Sequence, residues 1–171
     1  IVNKLTFLFI MMVMGLNQGM QPIASYNFGA KLYDRLEKVV KHTAICAIAV
    51  TTLGFLIAEL FPRTLVMMFT SDPALIEEAV KGLRISFMFY PIVGFQMVTS
   101  NFFRSIGYAG TSIFLSLTRQ LIFLLPLMII LPKYIGLQGI WISMPLADLI
   151  ACLVSASMMI YHMKKFRNSY L

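Results

Sequence analysis

The chain has 171 residues, of which 59% are hydrophobic and only 12% charged, with a mean hydropathy of +0.82. An ordinary soluble domain carries about 25% charged residues, so a water-soluble globule of this composition would lack the polar surface to wet it. The formal charge of +7 does not mark a nucleic-acid binder, because the cations fall between apolar runs and at the C-terminus, where the cytoplasmic segments of membrane proteins collect them.

Crossing ~30 Å of hydrocarbon takes about 20 apolar residues in a helix, and five windows approach that length. The first, Leu5–Ser25, carries Asn17, Gln18 and Gln21 in its second half, followed by Pro22. Amides inside hydrocarbon are costly unless they face other helices or a water-filled cavity, so this segment points at a path or a pocket. The helix is expected to leave the bilayer at Gly29, ahead of Lys31, Arg35, Lys38 and Lys41. Lys4 and the run Leu5–Leu16 match a signal peptide in length, but the amides and Pro22 do not resemble a cleavage site. The start at Ile1 rather than Met is what a piece of a longer protein would show.

The second window, Thr43–Phe61, has no charge until Glu59. The loop Thr70–Pro73 then reads as a helix start, with Ser71 or Asp72 as cap and Pro73 in the first turn. The third window, Ile85–Phe103, has no charge and holds a polar band of Gln96, Thr99, Ser100 and Asn101. The fourth, Thr111–Leu131, contains Arg119, and the fifth, Leu137–Tyr161, contains Asp148. Pro22, Pro91, Pro126 and Pro145 interrupt these spans, and proline bends a helix or frees one of its carbonyls.

Alternation places the segment with Lys31 to Lys41, the loop with Arg104, and Lys164, Lys165 and Arg167 on one side. The other side carries Arg63, Lys81 and Lys133 against Asp72, Glu77 and Glu78. The basic side is therefore read as cytoplasmic, with the C-terminus inside. The sum is an all-α, polytopic membrane protein of about five transmembrane helices.

Asp148 is the one acid near the middle of a span, where a carboxylate must be paired, protonated or hydrated. It is a candidate for cation coupling or ligand contact, or a structural partner for a neighbouring helix. At 1.5 Å per residue, Arg119 lies ~12 Å from the inner end of its span and Asp148 ~20 Å from the inner end of its own. The two can therefore pair, or Arg119 can snorkel to the inner surface. Thirteen Met and fourteen Phe suit a repacking pocket but mostly fill gaps or face lipid. Met20, Phe87, Met88 and Met97 share spans with polar clusters and are the better pocket candidates. Cys46 and Cys152 read as small buried hydrophobes, and His42 and His162 as interfacial residues rather than metal ligands. No GxSxG, GxxxxGK[ST] or HExxH motif occurs, so no catalytic set is expected, nor a nucleotide to drive transport directly.

Gln18-Gly19-Met20-Gln21-Pro22-Ile23, then Tyr26-Asn27-Phe28-Gly29-Ala30 and Arg35, resemble a helix-to-loop segment in the second half of MATE-family (multidrug and toxic compound extrusion) transporters. The order of the later hydrophobic segments is also similar, so the resemblance covers nearly the whole chain. Complete members have twelve helices in two lobes of six. The resemblance implies that residues 1–171 are most of the C-terminal lobe, helices eight to twelve, with helix seven and the first lobe outside the chain. It implies cation-coupled antiport, with H+ or Na+ as the coupling ion and no other cofactor. The exported compounds would be amphipathic or cationic, and the location multi-pass in the plasma (inner) membrane. Asn17, Gln18, Gln21, Gln96, Met97 and Asn101 would line the cavity, with Asp148 and Arg119 as coupling or structural residues. Sodium-coupled members place one acid on helix seven and another on the equivalent of Ile85–Phe103, which has none here. The coupling acid is therefore expected in the first lobe. A lipid-linked precursor flippase of the same superfamily is an alternative, favoured by a cation-rich cavity. A non-transporting membrane scaffold is another, favoured by dry helix packing.

Overall fold

The computed structural model describes residues 2–168, and the side chains at 2, 3, 5, 137, 167 and 168 are left aside. Ile1, and the Arg167 side chain counted among the basic residues, fall outside what is described.

The described chain is helical throughout. Helix α1 covers Val2–Gly29 and α2 covers Tyr33–Leu60. The short α3, Pro62–Met67, leads to α4, Pro73–Phe87, and α5, Tyr90–Ser105. Helix α6, Ala109–Leu117, passes through a π-wound segment, Thr118–Leu124, into α7, Leu125–Ile135. The last helix, α8, covers Leu137–Asn168. Among the described residues, four stretches are long and apolar enough to cross a bilayer: Thr6–Gly29, Tyr33–Leu60, Ala109–Ile135 and Gln138–Phe166.

The third expected span is not one helix. Ile85–Phe103 is broken at Met88 and Phe89, between α4 and α5. Pro91 follows in the first turn of α5. It has no N–H to offer the carbonyl of Phe87, and its ring crowds that carbonyl. The other prolines act differently. Pro22 and Pro145 lie inside α1 and α8 without ending them. Pro126 stands just beyond the π-wound stretch.

Helix starts and stops follow local chemistry. Helix α1 ends at Gly29, as expected, and Lys31 then takes a left-handed φ of 57°. Asp72 caps α4 by accepting the Ala74 N–H at 3.0 Å, with Pro73 in the first turn. The turn from α7 to α8 uses Gly136 at φ 68°.

Helix α5 is the hub, packing against α1, α2, α6 and α8. Its contact with α2 depends on small residues. The buried stripe Ala44, Ala47, Thr51, Gly54 and Ala58 recurs every three or four residues, which sets it on one face. Small residues let helices approach closely where lipid gives no hydrophobic drive. The Thr51 hydroxyl lies 2.9 Å from the Ala47 carbonyl in its own helix and 3.1 Å from the Pro91 carbonyl in α5. At one end of the bundle Phe28, Tyr33, Tyr108 and Phe166 pack as an aromatic cluster, with Tyr33 stacked on Phe166 at 5.6 Å. His162 packs edge-on to Phe103 and Tyr108 there. Cys46, read as buried, is exposed on α2.

Candidate functional site

The three amides of α1 do not share one environment. The buried stripe of α1 is Val13, Asn17, Met20, Ala24 and Asn27, again at spacings of three and four. Asn17 belongs to it and is 2% exposed. Gln18 lies about 100° further round the helix and is exposed, while Gln21 is half-buried. Neither side-chain polar atom of Asn17 has a hydrogen-bond partner among the described residues. Gln96 on α5 is also buried, with its Oε1 unpartnered there. Asn101 donates through Nδ2 to the Met97 carbonyl at 2.9 Å, and both residues are half-buried. Of the proposed pocket methionines and phenylalanines, Met20 and Phe87 are core residues, whereas Met88 is exposed.

Arg119 and Asp148 come together. The Arg119 Nε donates to Asp148 Oδ1 at 2.7 Å, so Arg119 turns toward α8 rather than out to the surface. Asp148 is 7% exposed. Arg119 sits in the π-wound segment, where the Leu125 N–H bonds back to the Gln120 carbonyl. Such segments in α-helices are frequent at functional sites. A buried ion pair is weak evidence for stability, because desolvation offsets much of the attraction.

The pair borders a cavity of about 160 Å³ between α1, α4, α5, α8 and the π segment. Thr6, Ser86, Tyr90, Arg119, Gln120 and Asp148 form its polar wall, and Ile10, Val93, Leu124 and Met144 its apolar wall. The Tyr90 hydroxyl donates to the Thr6 carbonyl at 2.9 Å. The Ser86 hydroxyl is buried without a partner among the described residues. From sequence, an Arg119–Asp148 pair and a snorkelling Arg119 were both open, and Ser86, Tyr90 and the cavity were missed. Their spacing of four was the available signal, since it sets two residues on one helical face. The break between α4 and α5 obscures it.

Buried polar side chains, an intramembrane ion pair and long apolar helices around a central one define a multi-pass helical membrane protein. The chain belongs to the MatE family, whose model matches residues 1–130. It is 24% identical over 159 residues to the multidrug export protein MepA of Staphylococcus aureus (strain N315), a match covering 88% of this chain and 33% of that protein. The chain thus spans about a third of the length of the curated relatives it matches. Its fold superposes on the MATE multidrug transporter DinF-BH with a TM-score of 0.87 and 35% identity. That match covers 94% of this chain and 36% of DinF-BH. Multidrug resistance MATE transporters of the MOP superfamily superpose in the inward-facing conformation (TM-score 0.92, 20% identity, 99% of this chain and 40% of that one). They do so in the outward-facing conformation as well (TM-score 0.89, 23% identity, 96% and 37%).

Proposed function

We propose that this chain supplies the C-terminal lobe, helices eight to twelve, of a secondary active multidrug exporter. The whole protein would move amphipathic or cationic compounds outward in exchange for H+ or Na+. Two lobes would rock around a central cavity in alternating access. The observation that carries this reading is the family match together with the fold shared with DinF-BH, a multidrug transporter. The likeness of one fold to both inward-facing and outward-facing transporters supports a lobe that moves largely as a body. The clustering of Lys31, Arg35, Lys38, Lys41, Arg104, Lys164 and Lys165 supports a cytoplasmic C-terminus in the inner membrane.

Of the candidate amides Gln18 is exposed and Gln21 and Asn101 are half-buried, so these three can face a central cavity, where they would hold ligands weakly enough for release. The buried Asn17 and Gln96 would form the polar backing of that wall, with the half-buried Met97 as an apolar contact. The test uses the full-length protein expressed in a drug-sensitive host, with ethidium as an amphipathic cationic probe. Gln18→Leu and Gln21→Leu should each lower resistance to ethidium while membrane levels stay constant. Unchanged resistance removes these amides from the pocket, and no ethidium efflux by the unmodified protein removes the exporter reading.

A further inference from the structure

The Arg119–Asp148 cavity has hydrogen-bonding capacity that the fold does not use. Arg119 meets Asp148 through Nε alone. The Arg119 side chain is 32% exposed and lines the cavity, so its guanidinium is not sealed by the fold. The Ser86 hydroxyl, 8% exposed, is unpartnered in the same cavity. Gln120 adds an amide at the rim. Buried polar groups are normally satisfied, so the idle Ser86 hydroxyl beside an accessible guanidinium fits a ligand that accepts hydrogen bonds.

The geometry points to a binding site for the carboxylate head of a small, ring-sized amphipathic acid, with the guanidinium Nη edge as its fork and Ser86 as a second donor. The planar guanidinium matches a carboxylate through two parallel hydrogen bonds. Of the two paired charges the guanidinium is the more accessible, 32% against 9% exposed for the Asp148 side chain, so it is the charge offered to a ligand. The apolar wall of Ile10, Val93, Leu124 and Met144 would cover the ring. The volume, about 160 Å³, equals roughly five waters at ~30 Å³ each, enough for a one-ring acid but not a long acyl tail. This site rests on the transporter reading and adds an acidic substrate class to it.

The experiment compares benzoate, benzamide and benzylamine as probes, by calorimetric titration of the full-length transporter in detergent. Benzoate should bind more tightly than the other two. Arg119→Lys keeps a charge beside Asp148 but loses the fork, and should weaken benzoate roughly tenfold or more, the scale of charged hydrogen bonds. Ser86→Ala, which leaves the ion pair alone, should weaken it about threefold or more and serves if Arg119→Lys does not fold. Benzoate binding no tighter than benzamide, unchanged benzoate affinity in the folded variants, or equal losses for benzylamine would each overturn the inference. Ethidium efflux by the unmodified protein tests the exporter reading separately.

Discussion

Replacing Gly94 with Ala tests the close packing that holds the bundle together. A Cβ at Gly94 would lie 2.7 Å from the Ala47 carbonyl oxygen and 2.8 Å from Thr51 Oγ1. Ordinary contact begins near 3.4 Å, so the two helices must part by 3.4 − 2.7, about 0.7 Å. The Ala47 oxygen belongs to a helix backbone and cannot swing aside. The Thr51 hydroxyl is held between the Ala47 and Pro91 carbonyls. Overpacking of this kind costs about 1–3 kcal/mol. Alanine also favours a helix over glycine by up to about 1 kcal/mol, so the comparison is with Gly15→Ala, where no neighbour lies within 4 Å. The propensity gain is common to both variants and cancels. Gly94→Ala should be the less stable of the two by about 1–3 kcal/mol, read as a lower melting temperature. Thermal unfolding of the full-length protein in detergent, followed by circular dichroism, reads the difference. A Gly94→Ala protein melting with or above Gly15→Ala would refute the reasoning.

Two further perturbations bear on the same packing. Asp148→Ala strands the Arg119 guanidinium and should cost about 3–5 kcal/mol, while the paired neutral change Asp148→Asn with Arg119→Gln should restore most of the loss. A double variant no better than the single one in the same melting assay would contradict the pairing. Gly82→Ala would set a Cβ 2.6 Å from the Trp141 ring. Trp141 is the single tryptophan of the 171 residues, so its emission maximum should shift. With other tryptophans of the full-length protein replaced, an unchanged spectrum would show that α4 and α8 do not meet there.

Much of the architecture was legible because hydrocarbon leaves few options. Long apolar windows had to become helices, Gly29 had to end one, and Asp72-Pro73 had to start another. Arg119 and Asp148 were legible as candidate partners because a mid-membrane charge must be paired, protonated or hydrated, but whether Arg119 paired or snorkelled was not. Other features depended on information that composition does not carry. Asn17, Gln18 and Gln21 are a cluster in sequence, but helical phase separates Asn17 from Gln18, and only the neighbours of α1 decide which is sealed. Pro91 marked a weakness in the third window, yet whether a proline bends a helix, as Pro22 and Pro145 do at most, or divides it depends on what packs alongside. The cavity beside Asp148 has walls from five separate segments, and no local pattern announces such a meeting.

The π-wound stretch gives the helix through Arg119 one residue more per hydrogen-bonded ring than its α-wound continuations. The surplus puts the turns before and after it about 100° out of the phase that an unbroken α-helix would give them. Deleting one residue from Thr118–Leu124 would therefore swing Arg119 and the residues before it round relative to α7, and the partner of Asp148 would face elsewhere.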